Sequence, residues 1–430
     1  MCESSPQFPI TVSIVGAGSR GSSYASFALK NPHMMKVVAV AEPKNIRRES
    51  MARKYNISPE NVFSDWKELA ARPRLSNAVV IATFDHMHVE PTIELARLGY
   101  HIMLEKPMAV SIQDCQTIVK AVEESKVIFA VCHVLRYTPY NRMLKKLIQS
   151  GALGNIINIQ HLEPVGHSLF AHSFVRGNYE REAGSTNVLM NKCIHDLDLL
   201  AHLIGRRCVK ISSFGNISHF KPDRKPQQAG EAKTCMDCPY ESKCAYSAVK
   251  IYLDPVKDGH TGWPTSTITD IVDIENVTKA LEDGPYGRCV HECDNDVCDN
   301  QVVNMIFENG STCTLTIVAG TQAISQGKTR IFGTKGEIDG DGKIIKLTDF
   351  RTGKRVEIDS NNQQESDIDE PDFDLMRAFV NAVACGNSEG YIFTGPEEAF
   401  NCHVYGFAAE HARTNNSVVT LDEFRKLHSC

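Results

Sequence analysis

Residues 10–21 read Ile-Thr-Val-Ser-Ile-Val-Gly-Ala-Gly-Ser-Arg-Gly, and this stretch decides the fold of the first part of the chain. An apolar strand runs into a glycine-rich turn, which in turn opens a helix. The spacing fits the dinucleotide-binding fingerprint: the glycines allow a tight turn, close approach of the backbone to a pyrophosphate, and close packing of helix on strand. We therefore predict that a dinucleotide contacts Gly16, Gly18, Ser19, Arg20 and Gly21.

A second apolar strand, residues 36–41, ends at Glu42. An acid about twenty residues after the glycine turn accepts hydrogen bonds from the adenosine ribose hydroxyls. A carboxylate there repels a 2′-phosphate, so the sequence favours NAD. Arg47 and Arg48 follow one turn later and soften that preference, which leaves NADP open. A plain strand-helix-strand unit with a structural glycine turn is the alternative.

Strands and helical patterns alternate up to Cys132, so residues 1–132 are predicted to form a Rossmann domain with a doubly wound parallel sheet. Ligands of such sheets bind outside the carboxyl ends of the strands. The loop after strand 78–82 and the end of strand 101–104 should therefore lie near the cofactor. The residues concerned are Thr83, His88, Glu105 and Lys106.

Lys106, followed by Pro107, is the first candidate catalytic residue. An ammonium group beside a bound nicotinamide can donate to the substrate oxygen and stabilise its developing negative charge. The alternative is a solvated lysine at a strand end. Oxidation of a secondary alcohol also needs a base for the hydroxyl proton.

Residues 191–205 are predicted to form one helix that ends at Gly205. His195 is the candidate general base, because an unperturbed histidine pKa near 6.5 suits proton transfer at neutral pH. A histidine packed between domains is the alternative. Helical spacing places His195 on one face with Asn191, Asp198 and His202.

Residues 133–430 are predicted to form a second, α+β domain for substrate binding and oligomerisation, on an open and mostly antiparallel sheet. Residues 221–300 are an irregular insertion. On strand 156–162 and just after it, His161 and Glu163 share a face by period-two spacing. They could meet substrate hydroxyls or be ordinary surface residues.

Three cysteines within ten residues of the insertion, Cys235, Cys238 and Cys244, come close to zinc-ligand spacing but lack a fourth ligand. The fourth could be Cys289, His291, Cys293 or Cys298. A structural zinc and free, reduced cysteines are the two interpretations. Other cysteines in apolar segments are predicted to be buried and reduced: Cys115, Cys132, Cys193, Cys313, Cys385 and Cys402.

Composition is that of a globular enzyme of 430 residues, with 42% hydrophobic and 23% charged residues. A net charge of −6 gives no electrostatic argument for nucleic acid or an anionic membrane as partner. The sequence has no apolar run long enough to span a membrane and no secretory leader, so we expect a cytoplasmic protein.

The ordered motifs resemble the Gfo/Idh/MocA family, named after glucose-fructose oxidoreductase, inositol dehydrogenase and a rhizopine-catabolism protein. They are the glycine turn, Thr83-x-Asp85-x-x-His88, Glu105-Lys106-Pro107, Arg136-Tyr137-x-Pro139 and His195-Asp196-x-Asp198. The resemblance implies a Rossmann domain, a largely antiparallel second domain, homodimers or homotetramers, and NAD(P)-dependent oxidation or reduction of sugars, cyclitols or related polyols.

The resemblance also assigns roles. Arg136 would line the nicotinamide pocket, and Lys106 would be catalytic or orient the substrate. The family often carries aspartate where this chain has Asn191, which cannot take a proton. Because of this difference, we predict that His195, Lys106 and Lys192 are the catalytic residues. Two alternatives stay open: a glycoside hydrolase that retains its NAD, and a non-catalytic regulator that senses a dinucleotide.

Overall fold

The first part of the chain forms a parallel sheet covered by helices. The computed structural model describes residues 6–360 and 371–429. The strands are β1 (Ile10–Val15), β2 (Met35–Ala41), β3 (Val62–Phe63), β4 (Ala78–Ile81), β5 (His101–Leu104) and β6 (Phe129–Val131). The helices are α1 (Ser19–Lys30), α2 (Asn45–Tyr55), α3 (Trp66–Ala70), α4 (Val89–Arg97) and α5 (Ile112–Ser125).

The strand order β3-β2-β1-β4-β5-β6, with all pairs parallel, confirms the predicted Rossmann sheet. The order reverses between β1 and β4, and a crevice for ligands opens at that switch point. All four residues of β4 are buried, as expected for a strand covered by helices on both faces. The glycine turn follows β1 and Lys106 follows β5, so both lie at the carboxyl edge of the sheet.

The second sheet has nine strands in the order β14-β13-β12-β11-β7-β10-β9-β8-β15. Among the strands in the described ranges, β7 and β10 alone pair in parallel, which confirms the prediction of a mostly antiparallel sheet. Its strands are β7 (Ile156–Pro164), β8 (Cys208–Asn216), β9 (Asn300–Phe307), β10 (Thr312–Val318), β11 (Lys328–Gly333), β12 (Gly336–Gly340), β13 (Ile344–Asp349), β14 (Arg355–Asp359) and β15 (Val418–Thr420).

Helices cover one face of this sheet around a core that includes Leu144, Leu197 and Leu315. The helices that follow the Rossmann domain in sequence are α6 (Pro139–Gln149), α7 (His167–Phe170), α8 (Val188–Lys192), α9 (Ile194–Ile204), α10 (Asp254–Lys257), α11 (Ile274–Asp283), α12 (Pro371–Cys385), α13 (Pro396–Thr414) and α14 (Leu421–Leu427). None of the helices in the described ranges is long and apolar enough to cross a membrane.

Helix α12 falls within the range predicted for the second domain, yet it packs on the Rossmann core. Phe373, Met376 and Phe379 join the buried side chains of β1, β2 and α1. The ring of Phe373 meets that of Phe27 edge-on at 5.6 Å. The chain therefore returns to its first domain near its end. Residues 1–5, 361–370 and 430 of the predicted domain ranges lie outside the described residues.

The insertion between β8 and β9 is built from short turns with α10 and α11. It has a small apolar core of its own, in which Tyr252, Leu253, Val277 and Leu281 are buried. The cysteines predicted to be buried and reduced follow the prediction with one exception. Five are buried free thiols: Cys115, Cys132, Cys193, Cys313 and Cys402. Cys385 is only partly buried and is disulfide-bonded, so the prediction was wrong for that residue.

Candidate active site

The glycine turn has the geometry that the fingerprint demands. Gly16 has φ +92°, and a Cβ there would lie 2.5 Å from the carbonyl oxygen of Ala82. A Cβ on Gly21 would lie 1.9 Å from the carbonyl oxygen of Gly16, so α1 can approach the turn only without a side chain there. At Gly18 the nearest atom to such a Cβ is Arg47 Nη1, at 3.8 Å. The first and third glycines are thus required by packing, whereas a Cβ at the second would make only an ordinary contact with Arg47.

Helix α1 begins at Ser19 with Gly18 as its N-cap, and no side chain caps it. The first N–H groups of a helix have no partner within the helix. With the helix dipole, they form a site for a phosphate group. A cleft of about 250 Å³ lies beside this turn, and its lining includes Ala17, Arg47, Ser266 and Asp270. The turn thus offers free backbone donors for a phosphate, and the cleft opens beside it.

Glu42, directly after β2, is buried and held by the backbone. One carboxylate oxygen accepts from the N–H of Ala17 at 2.8 Å, and the other accepts from the N–H of Lys44 at 2.9 Å. Arg48 donates to the main-chain carbonyl of Glu42 at 2.7 Å, and Arg47 lies 3.5 Å from Asp270 of the insertion. The carboxylate of Glu42 therefore holds the backbone of the glycine turn in place through the N–H of Ala17.

Arg20 and Glu105 connect the glycine turn to the end of β5. Arg20 Nε donates to Glu105 at 2.6 Å, and its other nitrogens donate to both oxygens of Asp372 on α12. Tyr24 donates to the same Glu105 oxygen at 2.7 Å. Burial alone would raise the pKa of Glu105, but Arg20 and Lys106 outweigh it and hold that pKa below its usual value. The predicted cofactor contacts of Arg20 and Glu105 stay predictions, since their side chains serve this network.

His88 holds the two loops at the carboxyl edge together. Its Nδ1 lies 2.9 Å from the carbonyl oxygen of Pro107, and its Nε2 lies 3.3 Å from that of Thr83. The side chain is fully buried. His88 thus positions the turn that carries Lys106, while the hydroxyl of Thr83 is buried without a partner in the described chain.

Lys106 crosses from the Rossmann domain to the second domain. Its Nζ donates to the main-chain carbonyl of Asn191 on α8 at 2.5 Å. Burial lowers the pKa of Lys106, and the nearby carboxylates of Glu105 and Asp85 partly offset that effect. Asn191 in turn donates to Asp85 at 3.0 Å. A substrate oxygen that replaced the carbonyl of Asn191 would find a ready donor.

The predicted helix of residues 191–205 is broken at Cys193 into α8 and α9, so one continuous helix was wrong. The break turns Lys192 toward β7, where its Nζ donates to Glu163 at 2.7 Å and to Ser325 at 2.9 Å. Burial would lower the pKa of Lys192, but Glu163 raises it above the usual value. Burial and the charge of Asp196 raise the pKa of Glu163 to about 6, and Lys192 limits the rise.

His195 lies beside the two lysines, and its Nδ1 is buried without a partner in the described chain. Its ring meets that of His133 edge-on at 5.7 Å. Burial, and then the charges of Lys106 and Lys192, lower its pKa well below 6.5. The expectation of an ordinary pKa was therefore wrong. His195 is a neutral imidazole at neutral pH and can accept a proton.

Arg136 is committed to a structural ion pair. Its Nε and Nη2 donate to the two oxygens of the buried Asp198 at 2.6 and 2.7 Å. Its remaining Nη1 donates to the carbonyl of Phe393. This fork ties the end of the Rossmann domain to α9. A role for Arg136 in the nicotinamide pocket stays a prediction.

His161 and Asp196 form a buried pair beside Glu163 that was not predicted from the sequence. His161 Nε2 lies 3.0 Å from Asp196 Oδ1, and its Nδ1 lies 2.8 Å from Thr329 Oγ1. The period-two spacing on β7 correctly placed His161 on one face with Glu163. Both are buried, at 5% and 4% exposure, so they are not surface residues. The partner across the pocket could not be found, because Asp196 is distant in sequence and lies on another element.

Cys235, Cys238 and Cys244 come together away from this pocket, within the insertion. They line one small cavity with Cys289, and all four are free thiols. The cavity therefore selects Cys289 among the cysteines that the sequence left open as a fourth ligand. His291 lines the same cavity, whereas Cys293 and Cys298 do not.

Two family models match the chain. An oxidoreductase family model for an NAD-binding Rossmann fold matches residues 10–133, and the model for the C-terminal α/β domain of the same family matches residues 145–421. The chain belongs to the Gfo/Idh/MocA oxidoreductase family. The resemblance drawn from the motifs is confirmed.

Individual relatives are more distant. The 2,7-anhydro-N-acetylneuraminate hydratase of Escherichia coli K12 is 28% identical over 214 residues, which cover 50% of this chain and 55% of that protein. Levoglucosan dehydrogenase of Pseudarthrobacter phenanthrenivorans is 27% identical over 205 residues, covering 46% and 51%. The chain thus spans about half the length of these curated relatives.

Among solved structures, an oxidoreductase from Agrobacterium radiobacter in complex with NAD+, L-tartaric acid and magnesium matches with a TM-score of 0.69. The match covers 97% of this chain and 99% of that chain, at 14% identity. At this identity the likeness supports the shared fold.

Proposed function

We propose that this chain transfers hydride between NAD and a secondary alcohol of a sugar, cyclitol or related polyol. The observation that carries the proposal is the arrangement of Lys106, Lys192 and His195: Lys106 Nζ donates to the carbonyl of Asn191, the residue before Lys192, and the charges of both lysines lower the pKa of His195. The three groups would act on one ligand, because Lys106 follows β5 at the carboxyl edge of the Rossmann sheet, where ligands bind.

The division of labour follows from the protonation states. Bound NAD supplies the hydride acceptor. His195, held neutral, accepts the hydroxyl proton of the alcohol. Lys106 donates to the same oxygen and stabilises its developing negative charge. The alcohol carbon loses a hydride and its oxygen loses a proton, which balances the oxidation to a carbonyl.

A base with a depressed pKa is weak, and the lysines compensate for that. The charges that lower the pKa of His195 also favour the alkoxide form of an alcohol bound beside them. The pKa values of donor and acceptor are thus lowered together, so the depressed pKa of His195 does not by itself widen the gap between them. Glu163 and the His161–Asp196 pair supply acceptors for further substrate hydroxyls. A polyhydroxy substrate suits this lining.

We further propose NAD as the preferred cofactor, because the buried carboxylate of Glu42 lies next to the glycine turn. Arg47 in the adjoining cleft favours some NADP binding. Binding of each dinucleotide by calorimetry tests the preference, and tighter binding of NADP would contradict it. The cytoplasmic location stays a prediction.

The two other functions are less well supported. A regulator that only senses a dinucleotide has no need for Lys106, Lys192 and His195 to converge. The other alternative, a glycoside hydrolase that retains its NAD, can be told apart by measuring whether NADH accumulates. A panel of sugars, cyclitols and sugar acids is incubated with NAD or NADP, and both dinucleotide reduction and substrate conversion are measured. Conversion with net NADH formation supports the proposal, and conversion without it favours the dinucleotide-retaining alternative.

We also propose that the outer face of the nine-stranded sheet joins copies of the chain into a homodimer or homotetramer. Phe214, Ile306 and Val418 lie on that face and are 63%, 42% and 67% exposed. Light scattering should give a mass of at least two chains, and Phe214→Asp should lower it. Leu29→Asp, a change at an exposed leucine of α1, is the control that should leave the mass unchanged. A monomeric wild type would contradict the proposal.

A further inference from the structure

We propose that Cys235, Cys238, Cys244 and Cys289 bind one structural zinc ion that holds the insertion together. The four side chains line one cavity of about 20 Å³, which is room for a single atom. Zinc in structural sites takes four ligands in a tetrahedron, and four cysteines are a frequent set. The site lies apart from the proposed active site and does not depend on the proposed function.

Backbone pairing brings the two cysteine segments side by side. Thr234 and Arg288 form an antiparallel bridge. The N–H of Cys235 donates to the carbonyl of Gly287 at 2.8 Å, and the N–H of Cys289 donates to that of Lys233 at 2.8 Å. Cys235 is thus opposite Gly287 and Cys289 is opposite Lys233, so the two cysteines flank the bridge diagonally, although 53 residues of sequence separate Cys235 from Arg288.

The other two cysteines are supplied by tight turns. The N–H of Cys238 donates to the carbonyl of Cys235 at 3.4 Å, which folds the Cys-x-x-Cys segment back on itself. The sulfur of Cys244 accepts from the N–H of Tyr246 at 3.4 Å. Such N–H donors stabilise a thiolate, which is the form that binds a metal.

A buried guanidinium at the same cavity is the independent argument for a metal. Arg176 is 1% exposed and has no ion-pair partner in the described chain. Its Nε and Nη2 donate to the carbonyls of Arg288 and Tyr246 at 2.7 Å, Nη2 also lies 3.4 Å from Cys235 Sγ, and Nη1 has no hydrogen-bond partner in the described chain. A buried charge needs an opposite charge. Four neutral thiols offer none, whereas a divalent ion held by four thiolates carries a net negative charge beside Arg176.

Metal binding would tighten the cluster. In the described chain, no three of these four sulfur atoms all lie within 4.8 Å of one another. A tetrahedral site with Zn–S distances of about 2.3 Å requires shorter sulfur–sulfur distances. The cysteines lie on short turns, which can adjust. Because the insertion supplies Ser266 and Asp270 to the cleft beside the glycine turn, the metal would also steady one wall of that cleft.

Elemental analysis of the full chain, purified without added metal, tests the proposal. We expect about one zinc per chain in the wild type, and a loss of at least about tenfold in Cys238→Ser and Cys289→Ser. Cys293→Ser and His291→Gln are matched controls in the same insertion and should keep the zinc. A wild type without metal, whose four thiols react with an alkylating reagent or form disulfides, would overturn the proposal.

X-ray absorption at the zinc edge of the wild type gives an answer that does not depend on the folding of any variant. Four sulfur neighbours at about 2.3 Å are expected. Three sulfurs and one nitrogen would overturn the assignment of Cys289 and point to His291 as the fourth ligand.

Discussion

Lys106 Nζ donates a hydrogen bond of 2.5 Å to the main-chain carbonyl of Asn191. This bond joins the end of a Rossmann strand to the short helix α8 of the second domain. The residue after Asn191 is Lys192, and His195 follows one turn later. The contact between the two domains thus also brings together the segments that carry the candidate catalytic residues.

Replacement of Lys106 by methionine should lower kcat by roughly two orders of magnitude, because the donor to the substrate oxygen is lost. Dinucleotide affinity should stay near wild type, since the glycine turn is unchanged. Lys145→Met is the matched control: Lys145 also donates to a main-chain carbonyl, that of His202, but outside the pocket. Steady-state kinetics and calorimetry check both variants, and full activity in Lys106→Met would remove the assigned role.

The activity should fall as the pH drops through about 6. The pKa of Glu163 is raised to about 6, so its carboxylate is present above that pH and becomes protonated below it. Protonation releases the ion pair that holds Lys192 in the pocket. In Glu163→Gln the profile of kcat/KM should lose this acidic limb and be lower throughout.

Glu182→Gln is the control for that profile. Burial raises the pKa of Glu182 to about 7, but its nearest cation is Arg413, away from the lysines. The acidic limb should persist in this variant. If instead the fall in kcat/KM at acidic pH disappeared in Glu182→Gln and persisted in Glu163→Gln, Glu182 and not Glu163 would be the group that titrates.

Much of this site could be predicted from short-range patterns. The spacing of Gly16, Gly18 and Gly21 encodes a turn whose geometry is local, and alternating strands and helices place Lys106 at the sheet edge. Helix α6 begins at Pro139 and ends shortly before Gly151, and both residue types mark helix ends in a sequence.

What could not be predicted depends on contacts between distant segments. The break at Cys193 has no glycine or proline to signal it. The depressed pKa of His195 arises from its burial and from the charge of Lys106, which lies on another domain. Likewise, helical spacing predicted that Asp198 shares a helix face with His195. In the structure Asp198 forms a buried ion pair with Arg136, which lies outside that helix.

Glu42 should discriminate between the two dinucleotides. Arg47→Ala should weaken NADP binding several-fold and change NAD binding less, because only a 2′-phosphate gains from that guanidinium. Glu42→Ala should narrow the preference for NAD and also weaken both cofactors, since it frees the N–H of Ala17 in the glycine turn. Calorimetric titration of both dinucleotides measures the two effects. An unchanged ratio in Glu42→Ala would exclude the carboxylate as the determinant.

The folded state should lose stability below neutral pH through His133. Burial and the charges of Arg136 and Lys106 lower its pKa to about 3, whereas in the unfolded chain it is near 6.5. The unfolded state binds more protons between these values, so the stability present above pH 6.5 is lost as the pH falls. The slope is at most about 1.4 kcal/mol per pH unit.

His133→Leu should therefore show a smaller drop in melting temperature between neutral and acidic pH than the wild type. Neither ring nitrogen of His133 has a hydrogen-bond partner in the described chain, so the substitution leaves no other polar group without a partner. The exposed His33, changed to leucine, serves as the control and should follow the wild type. Equal slopes in all three proteins would contradict the prediction.

The most direct test of the central claim follows the hydride itself. A polyol that is converted in the substrate panel is prepared with deuterium on the carbon to be oxidised, and the wild type is incubated with it and NAD. We predict one deuterium in each NADH formed, one carbonyl product per NADH, and a rate at least about a hundredfold lower in Lys106→Met. Product formation with NAD recovered unchanged, or NADH free of deuterium, would contradict the account.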